Sequence, residues 1–153
     1  MSEPKPKVIL LITHNPQEAD LAKEACLTSE QDYEVIHMIN GHEALDYLHC
    51  RGQYKNRPRE QEPDIVLIIL DMPKMNGLQT IREIRTHSKT HALPIILMTS
   101  SDEEMEVAKT YEFGANSYIN KPNTMDEFIA VIKGLTIYWF NIVTPPPVHH
   151  CPE

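Results

Sequence analysis

The chain has 153 residues, of which 41% are hydrophobic, and its 14 Lys and Arg residues against 22 Asp and Glu residues give a net charge of −8. This length suits one domain with its own core, and the acidic balance argues against a nucleic-acid binder, which needs clustered cations for phosphate contacts. No apolar run is long enough to cross a bilayer, and the first residues lack the apolar stretch of a signal peptide, so we expect a cytoplasmic protein without membrane contacts.

The first predicted elements are a buried strand and a helix. Residues 7–13 form an aliphatic run that is typical of a strand buried on both faces. Asn15 can cap the following helix, with Pro16 at its first position and Glu18 placed as in a capping box. We expect this helix to end near residue 29.

A second strand and helix follow, and then a long polar segment. Residues 33–38 alternate apolar and polar types, which predicts an edge or near-edge strand, and a helix runs from Gly41 through Leu48. Residues 49–62 hold no apolar periodicity and carry several basic side chains. We predict an exposed loop whose basic residues form a solvated surface, with a site for an acidic partner as the alternative.

The third predicted strand is the most apolar stretch of the chain. Residues 65–70 are consecutive aliphatics that end at Asp71, and the turn residues Pro73 and Gly77 follow. Such a run predicts a strand in the middle of a parallel sheet, and ligand sites lie at the carboxyl ends of these strands. The polar residues after Leu70 are therefore where we expect a functional site.

The second half of the chain continues the alternation of helices and strands. Its predicted elements are a helix at about 77–87, a strand at 93–99, a helix from a capping box at 101–104 to before Gly114, a strand at 115–120 and a helix from about Thr124 toward Phe140. Five strands alternating with five helices predict an α/β fold with a doubly wound parallel sheet. One domain is expected at residues 7–143, between a flexible N-terminus at 1–6 and a proline-rich mobile tail at 144–153.

Right-handed crossovers place the carboxyl ends of the parallel strands at one edge of the sheet. The residues predicted near that edge are Thr13, His14, Ile69, Asp71, Thr99 and Lys121. The three cysteines, Cys26, Cys50 and Cys151, are an odd number without paired spacing, so we expect reduced thiols.

Several motifs resemble the receiver domain of two-component response regulators over about residues 7–135. They are residues 63–64, 73–77, 93–101 and 114–122. The C-terminal stretch 137–145 and the long loop before Pro63 resemble the stand-alone regulators that pair with bacterial phytochrome kinases. The resemblance implies a flavodoxin-like fold with an extended C-terminal helix, and a sensor histidine kinase, of the phytochrome type, as partner.

The reaction of that family is phosphoryl transfer from a kinase histidine to an aspartate at the end of the third strand. It needs a carboxylate nucleophile, oxygen ligands for Mg²⁺, and hydroxyl and ammonium groups that stabilise the transferred phosphoryl. The family aspartate lies four residues before the proline of the turn, which is Ile69 in this chain. The acidic pair of the family corresponds to Thr13 and His14, and neither is a carboxylate.

The other half of the family site is present. Thr99 matches the hydroxyl residue, Lys121 the lysine and Tyr118 the switching aromatic. We therefore interpret the chain as a pseudo-receiver, not an enzyme, that binds partners without phosphorylation and binds Mg²⁺ weakly or not at all. The Lys121 ammonium is expected to pair with Asp71 or to reach water.

Two alternatives use Asp71. In the first, Asp71 is a working phosphoacceptor, which requires deleting two residues between it and Pro73 in the alignment. In the second, His14 and Asp71 form a metal- or pH-sensing site, since histidine titrates near neutral pH. The competing interpretation of His14 is an ordinary polar residue at the end of a strand.

The end of the last helix is the predicted partner surface. In the family, the face of the fourth helix, fifth strand and fifth helix carries dimer and output contacts. Much apolar area lies at the end of this chain, in Tyr138, Trp139, Phe140, Ile142 and Val143. We expect a symmetric homodimer there, and the alternative is that these residues fold onto their own domain.

Overall fold

Five parallel strands form one sheet in the computed structural model, which describes residues 6–28, 32–70 and 75–147. The order across the sheet is β2-β1-β3-β4-β5. The strands are β1 (Lys7–Ile12), β2 (Tyr33–Met38), β3 (Ile65–Leu70), β4 (Ile95–Thr99) and β5 (Ser117–Asn120). The predicted doubly wound flavodoxin-like fold, with the second strand at an edge, is confirmed.

Helices cover both faces of the sheet. They are α1 (Pro16–Leu27), α2 (Gly41–Leu48), α3 (Met75–Thr86), α4 (Glu104–Phe113) and α5 (Met125–Ile137). A π-helical turn over Tyr138–Ile142 extends α5, and two short 3-10 turns, Gly52–Tyr54 and Arg59–Gln61, interrupt the segment before β3. Within the described residues, no helix is long and apolar enough to span a membrane.

The sheet separates two apolar cores. Val66 and Ile68 of β3 face the core under α2 and α3, whereas Leu67 and Ile69 face the core under α1 and α5. Successive side chains of a strand point to opposite faces, so a strand buried on both sides must be apolar at every position. This explains the aliphatic run of β3 and places its carboxyl end, with Leu70 partly exposed, at the rim of the sheet.

Two of the predicted helix caps differ from the structure. The Asn15 side chain accepts a hydrogen bond from the Gln17 backbone N–H as expected, but the Asn15 N–H donates to the Thr13 hydroxyl rather than to Glu18. The α4 helix begins only at Glu104, without a side-chain cap, because the Ser101 hydroxyl bonds the Glu106 carboxylate. In both cases a contact across the turn replaces the expected local cap.

The polar segment before β3 is not simply an exposed loop. The Arg57 side chain donates to the Tyr47 carbonyl at 3.0 Å, and its guanidinium lies 4.8 Å from the Tyr47 ring centroid. The Tyr47 hydroxyl donates to the Gln61 carbonyl, and Glu62 is buried. The prediction of a solvated surface was wrong for Arg57, because the aromatic residue that holds it belongs to the preceding helix.

The cysteines also depart from expectation. Cys26 is free, as predicted, and burial raises the pKa of its thiol to about 11. Cys50 is disulfide-bonded, so the prediction of reduced thiols was wrong at this position. Cys151 lies outside the described residues. Spacing along the chain carries no information about which sulfur atoms the fold brings together.

Candidate functional site

The carboxyl edge of the sheet brings together residues that follow β1, β4 and β5. Thr13 comes directly after β1, Thr99 ends β4, and the Lys121 backbone N–H donates to the Thr99 carbonyl at 2.7 Å. Both threonines are buried. These three residues therefore lie at one edge, as the parallel topology predicts, whereas Asp71 lies outside the described residues.

Lys121 forms an ion pair with a residue that the sequence analysis did not identify. Its Nζ lies 2.7 Å from the Glu18 Oε2, and the two side chains are 15% and 13% exposed. The prediction named Asp71 or water as the partner and did not name Glu18; Asp71 lies outside the described residues. The available signal was an acidic residue in the first turn of α1, which starts at the same edge of the sheet, but the capping-box pattern offered a local explanation for it.

Both carboxylate oxygens of Glu18 are engaged. While Oε2 faces Lys121, Oε1 accepts a hydrogen bond from the Thr13 hydroxyl at 2.8 Å. The Thr13 hydroxyl in turn accepts from the Asn15 backbone N–H at 3.1 Å. The position of Glu18 in the first helical turn also favours its negative charge, since the helix dipole is positive there. The result is a network of charges and hydrogen bonds that joins Thr13, Asn15, Glu18 and Lys121.

Ile69, which was predicted from its spacing to Pro73 to stand at the phosphoacceptor position, ends in the interior of the domain. Its side chain is 0% exposed and belongs to the core cluster that includes Ala19, Ala22, Met98 and Phe128. An aliphatic side chain offers no lone pair for attack on phosphorus, so this position has no nucleophile. The surroundings of Ile69 are those of an apolar core residue.

Thr99 places a hydroxyl at the edge of the sheet, where no described residue bonds it. The residue is fully buried, and its Oγ1 has no hydrogen-bond partner among the residues that the structure describes. A buried hydroxyl without a partner costs free energy, and natural cores rarely keep one without a reason. Among the described residues of this site, the Thr99 hydroxyl is an unsatisfied buried group.

Tyr118 is tied to the loop between β4 and α4. Its hydroxyl donates to the Ser101 carbonyl at 2.5 Å, and its backbone N–H donates to the Tyr111 hydroxyl at 3.1 Å. Burial raises the pKa of the Tyr118 phenol above its ordinary value. The aromatic ring is thereby fixed against the loop that follows Thr99.

The described residues do not fit a magnesium ion. Magnesium needs several oxygen ligands in octahedral geometry, and it rejects imidazole. The Thr13 hydroxyl and both Glu18 oxygens are already committed, and His14 is exposed. No group of three or more His, Cys, Asp or Glu residues in the described part of the chain could hold a metal ion. The sensor hypothesis for His14 and Asp71 stays a prediction.

The residues of the predicted partner surface at the end of α5 differ in how far they are buried. Trp139 and Phe140 pack against the core under α1 and α5, and the Phe140 ring lies 5.5 Å from the Tyr33 ring. Both residues are only partly buried, so they contact their own domain, as in the alternative, and the predicted dimer surface stays a prediction. Tyr138 and Ile142 remain 48% and 68% exposed. Val143 is partly buried and donates its backbone N–H to the Tyr138 carbonyl.

A five-stranded sheet of order 2-1-3-4-5, with a threonine and a lysine at its carboxyl edge and a tyrosine fixed beside them, defines a doubly wound protein of the receiver type. A model of the response regulator receiver domain matches residues 9–133. The chain belongs to the response regulator receiver family of two-component signal transduction. The response regulator Rcp1 of Synechocystis sp. (strain PCC 6803) is 31% identical over 141 residues, which are 92% of this chain and 94% of Rcp1.

Solved structures agree with this assignment. The phosphorylated cyanobacterial phytochrome response regulator RcpA matches with a TM-score of 0.83 and 29% identity, over 93% of this chain and 99% of RcpA. The Mn(2+)-bound form of Rcp1 gives a TM-score of 0.81 and 31% identity, over 93% of this chain and 100% of the Rcp1 chain. The bacteriophytochrome response regulator RtBRR is 36% identical with a TM-score of 0.68, over 93% of this chain and 85% of the RtBRR chain.

Proposed function

We propose that the protein is a cytoplasmic pseudo-receiver, a non-enzymatic regulator that acts by protein–protein interaction without phosphorylation at Ile69. One observation carries the proposal. The Lys121 ammonium is held at 2.7 Å by the carboxylate of Glu18, while Ile69 is completely buried among apolar side chains. The cation that would stabilise a phosphoryl group is thus paired with a carboxylate of the protein itself, and the Ile69 side chain is not a nucleophile.

The Glu18 carboxylate also supplies what phosphorylation would bring. An acyl phosphate places negatively charged oxygens beside the lysine and hydroxyl of a receiver. Here the anionic oxygens come from α1 and are bonded to Thr13 and Lys121. The charge at the edge of the sheet is therefore permanent, and the shape of the partner surface does not depend on a phosphodonor.

A simple experiment tests this proposal. The native protein and an Asp71→Asn variant are incubated with acetyl phosphate and Mg²⁺, and intact mass is measured, with RcpA as the positive control because its structure is of a phosphorylated form. We expect no phosphoryl adduct on the native chain. An adduct on the native chain that disappears in Asp71→Asn would overturn the proposal and establish Asp71 as an active acceptor.

Weak or absent metal binding belongs to the same proposal. Rcp1 has been solved in an Mn(2+)-bound form, which makes it the appropriate reference. The carboxylate that the described edge offers is engaged by Lys121 and Thr13. The titration follows the paramagnetic resonance signal of free Mn²⁺ as protein is added. We expect Rcp1 to reduce this signal at protein concentrations at which this protein leaves it unchanged. Comparable binding by both would contradict the proposal.

The partner we propose is a sensor histidine kinase of the phytochrome type, or another signalling protein, and neither nucleic acid nor a membrane. The names of the relatives Rcp1, RcpA and RtBRR support this class of partner. Exposed apolar side chains on α4 and α5, among them Met105, Tyr111, Met125 and Ile137, supply a surface for it. Pull-down with a phytochrome kinase should be insensitive to acetyl phosphate.

We also propose a homodimer that uses the exposed apolar residues at the end of α5. Tyr138 and Ile142 carry this proposal, since Trp139 and Phe140 pack inward. Light scattering should show a dimer that Ile142→Ser and Tyr138→Ser weaken. Leu27→Ser, which removes a still more exposed apolar side chain at the end of α1, is the control and should leave the dimer intact.

A further inference from the structure

The outer edge of β2 carries backbone groups that the sheet leaves without a strand partner. β2 lies at the end of the sheet, next to β1. The Thr13 N–H donates to the Met38 carbonyl, so the even-numbered residues of β2 direct their backbone groups toward β1. Because this direction alternates along a strand, the N–H and C=O groups of Val35 and His37 face away from the sheet. Such an edge is a template for the addition of another strand.

A groove of about 480 Å³ follows this edge, and we call it the β2 groove. Its walls are β2, from Glu34 to Met38, and the segment from Gln53 to Gln61 before β3. Val35 lines the groove although its side chain packs in the core under α1 and α5, so the groove exposes the backbone of this residue. The volume is within the range of natural ligand sites, which is about 300–1,000 Å³.

The apolar surface of the β2 groove comes from the strand and from aromatic rings beside it. Ile36 and Met38 lie on the face of the sheet that α2 covers. Tyr47 and Tyr54 line the groove next to them, with ring centroids 5.0 Å apart. Both phenol groups already donate hydrogen bonds within the protein. On this side the groove therefore offers an incoming segment apolar contact area.

Glu34 is the charged group that the β2 groove leaves available. The residue is partly buried, and its carboxylate forms no ion pair or hydrogen bond within the described residues. The cation of the wall, Arg57, is by contrast directed to the Tyr47 carbonyl and the Cys50 sulfur. Complementary charge selects partners at such surfaces, so the Glu34 carboxylate favours a cationic side chain opposite it.

We propose that the β2 groove binds an extended basic segment of a partner protein, which adds a strand beside β2. The backbone of the segment pairs with Val35 and His37. A Lys or Arg side chain of the segment faces Glu34, and an aliphatic side chain two positions along lies against Ile36 and the tyrosine rings. The segment is thus recognised by alternating basic and aliphatic residues without proline, because proline lacks the N–H that a strand needs.

This site is separate from the carboxyl edge that holds Lys121. β2 and β5 are at opposite ends of the sheet, and Lys121 follows β5. Binding in the β2 groove does not depend on whether the protein can be phosphorylated. The experiment below and the acetyl phosphate experiment can therefore fail independently.

A short peptide tests the proposal on the full-length protein. The probe is acetyl-Thr-Val-Thr-Lys-Thr-Val-Thr-amide, which presents Val, Lys and Val on one face in either strand direction. It is titrated into isotope-labelled protein, and the backbone amides are followed by NMR. We expect the amide signals of Val35 and His37 to shift. The same peptide with Glu in place of Lys should bind at least about tenfold more weakly. No binding, or shifts that spare β2, would overturn the proposal.

Exchange of charge identifies the residue that selects the peptide. Glu34→Lys should reverse the preference, so that the Glu peptide binds more tightly than the Lys peptide. Glu24→Lys makes the same change at an exposed position of α1 and should leave the preference as it is in the parent. A preference that is unchanged in Glu34→Lys, or reversed in Glu24→Lys, would contradict the assignment to the β2 groove.

Backbone pairing is tested without changing the protein. Successive amides of a strand point in opposite directions, so N-methylation of either the Thr residues or the Val and Lys residues blocks one edge of the peptide. One methylated peptide should lose binding and the other should retain it, and equal effects would exclude an added strand. Shifts of the Val35 and His37 amides with protein concentration alone would assign the groove to a second copy of this chain and would also overturn the proposal.

Discussion

Glu18 in the first turn of α1 and Lys121 after β5 form an ion pair of 2.7 Å, in which neither side chain is more than 15% exposed. The pair joins two elements that are far apart in sequence. Desolvation of the two charges is expensive, so such a pair adds less stability than its short distance suggests, but the loss of one partner is costly. Because losing one partner costs more than the intact pair contributes, single substitutions of Glu18 or Lys121 test the pair.

Replacing Glu18 with Gln should lower the free energy of unfolding by about 2–4 kcal/mol, because it removes the anion from a poorly hydrated ammonium. Lys121→Met should have a cost of the same order, since it leaves the Glu18 carboxylate uncompensated. Urea unfolding at neutral pH measures both values.

The matched control for this pair is Asp20→Asn, which removes the same charge from an exposed position of α1 and should change stability by less than about 0.5 kcal/mol. The double variant Glu18→Gln with Lys121→Met should cost less than the sum of the single variants by about 1–3 kcal/mol. Additive effects would show that the two groups do not interact in solution.

Ile69→Asp should be strongly destabilising, although it restores the family's residue. The side chain is completely buried in the core under α1 and α5, and an ionised carboxylate there costs at least about 3 kcal/mol. Ile69→Val is the control, with an expected loss of about 1 kcal/mol. The deficit of Ile69→Asp should shrink in acid, where the carboxyl is neutral. If Ile69→Asp destabilises the protein no more than Ile69→Val does, residue 69 is hydrated in solution and not buried.

Tyr118→Phe should loosen the loop between β4 and α4. The substitution removes the hydrogen bond from the phenol to the Ser101 carbonyl, which is worth about 1 kcal/mol. Amide hydrogen exchange in residues 101–104 should accelerate. Tyr111→Phe serves as the comparison, because it instead removes the acceptor of the Tyr118 backbone N–H and should affect the edge of β5. An identical exchange pattern in both variants would contradict this assignment.

His49 should make stability depend on pH. Burial, followed by the neighbouring His87 and Arg51, lowers its pKa from 6.5 to about 4. Between these values the unfolded chain binds a proton that the folded chain does not, so stability falls as the pH drops from 6.5 toward 4. Below about 4 both states are protonated, and the loss is complete. Partial exposure screens the effect, so we expect about 2 kcal/mol in total.

A His49→Phe variant should remove this part of the pH dependence. A phenyl ring can keep the stacking on His87, whose ring centroid lies 3.9 Å away, and the Nε2 atom that it replaces is buried without a partner among the described residues. Urea unfolding at pH 7.5 and at pH 4.5 gives the slope. The same slope in parent and variant would assign the acid sensitivity to other groups.

The fold was predictable because its signals are local. A continuous aliphatic run such as residues 65–70 is compatible only with burial on both faces, and Gly114, with a φ of +119°, ends α4 as its position suggested. The aliphatic side chain four residues before Pro73, on which the pseudo-receiver proposal rests, is likewise read from neighbouring residues. Each of these inferences needs only neighbouring residues.

The contacts of the site were less predictable because they join distant segments. Glu18 fits a local capping-box pattern. Nothing else in the sequence therefore indicated its ion pair with Lys121, which is distant along the chain. Arg57 could be placed only once Tyr47 was known to lie under it. The disulfide of Cys50 is of the same kind, since a cysteine in sequence does not show which segment the fold returns to it.

The carboxylate that neutralises Lys121 is encoded in the gene, unlike a phosphoryl group, which is added and hydrolysed. A regulator of the proposed kind would have no lifetime of activation, and its effect on a partner would not decay after a stimulus ends. Its influence follows mass action, so the number of copies in the cell, relative to the partner and its affinity, sets the strength of the response. Timing would then come from synthesis and degradation of the protein.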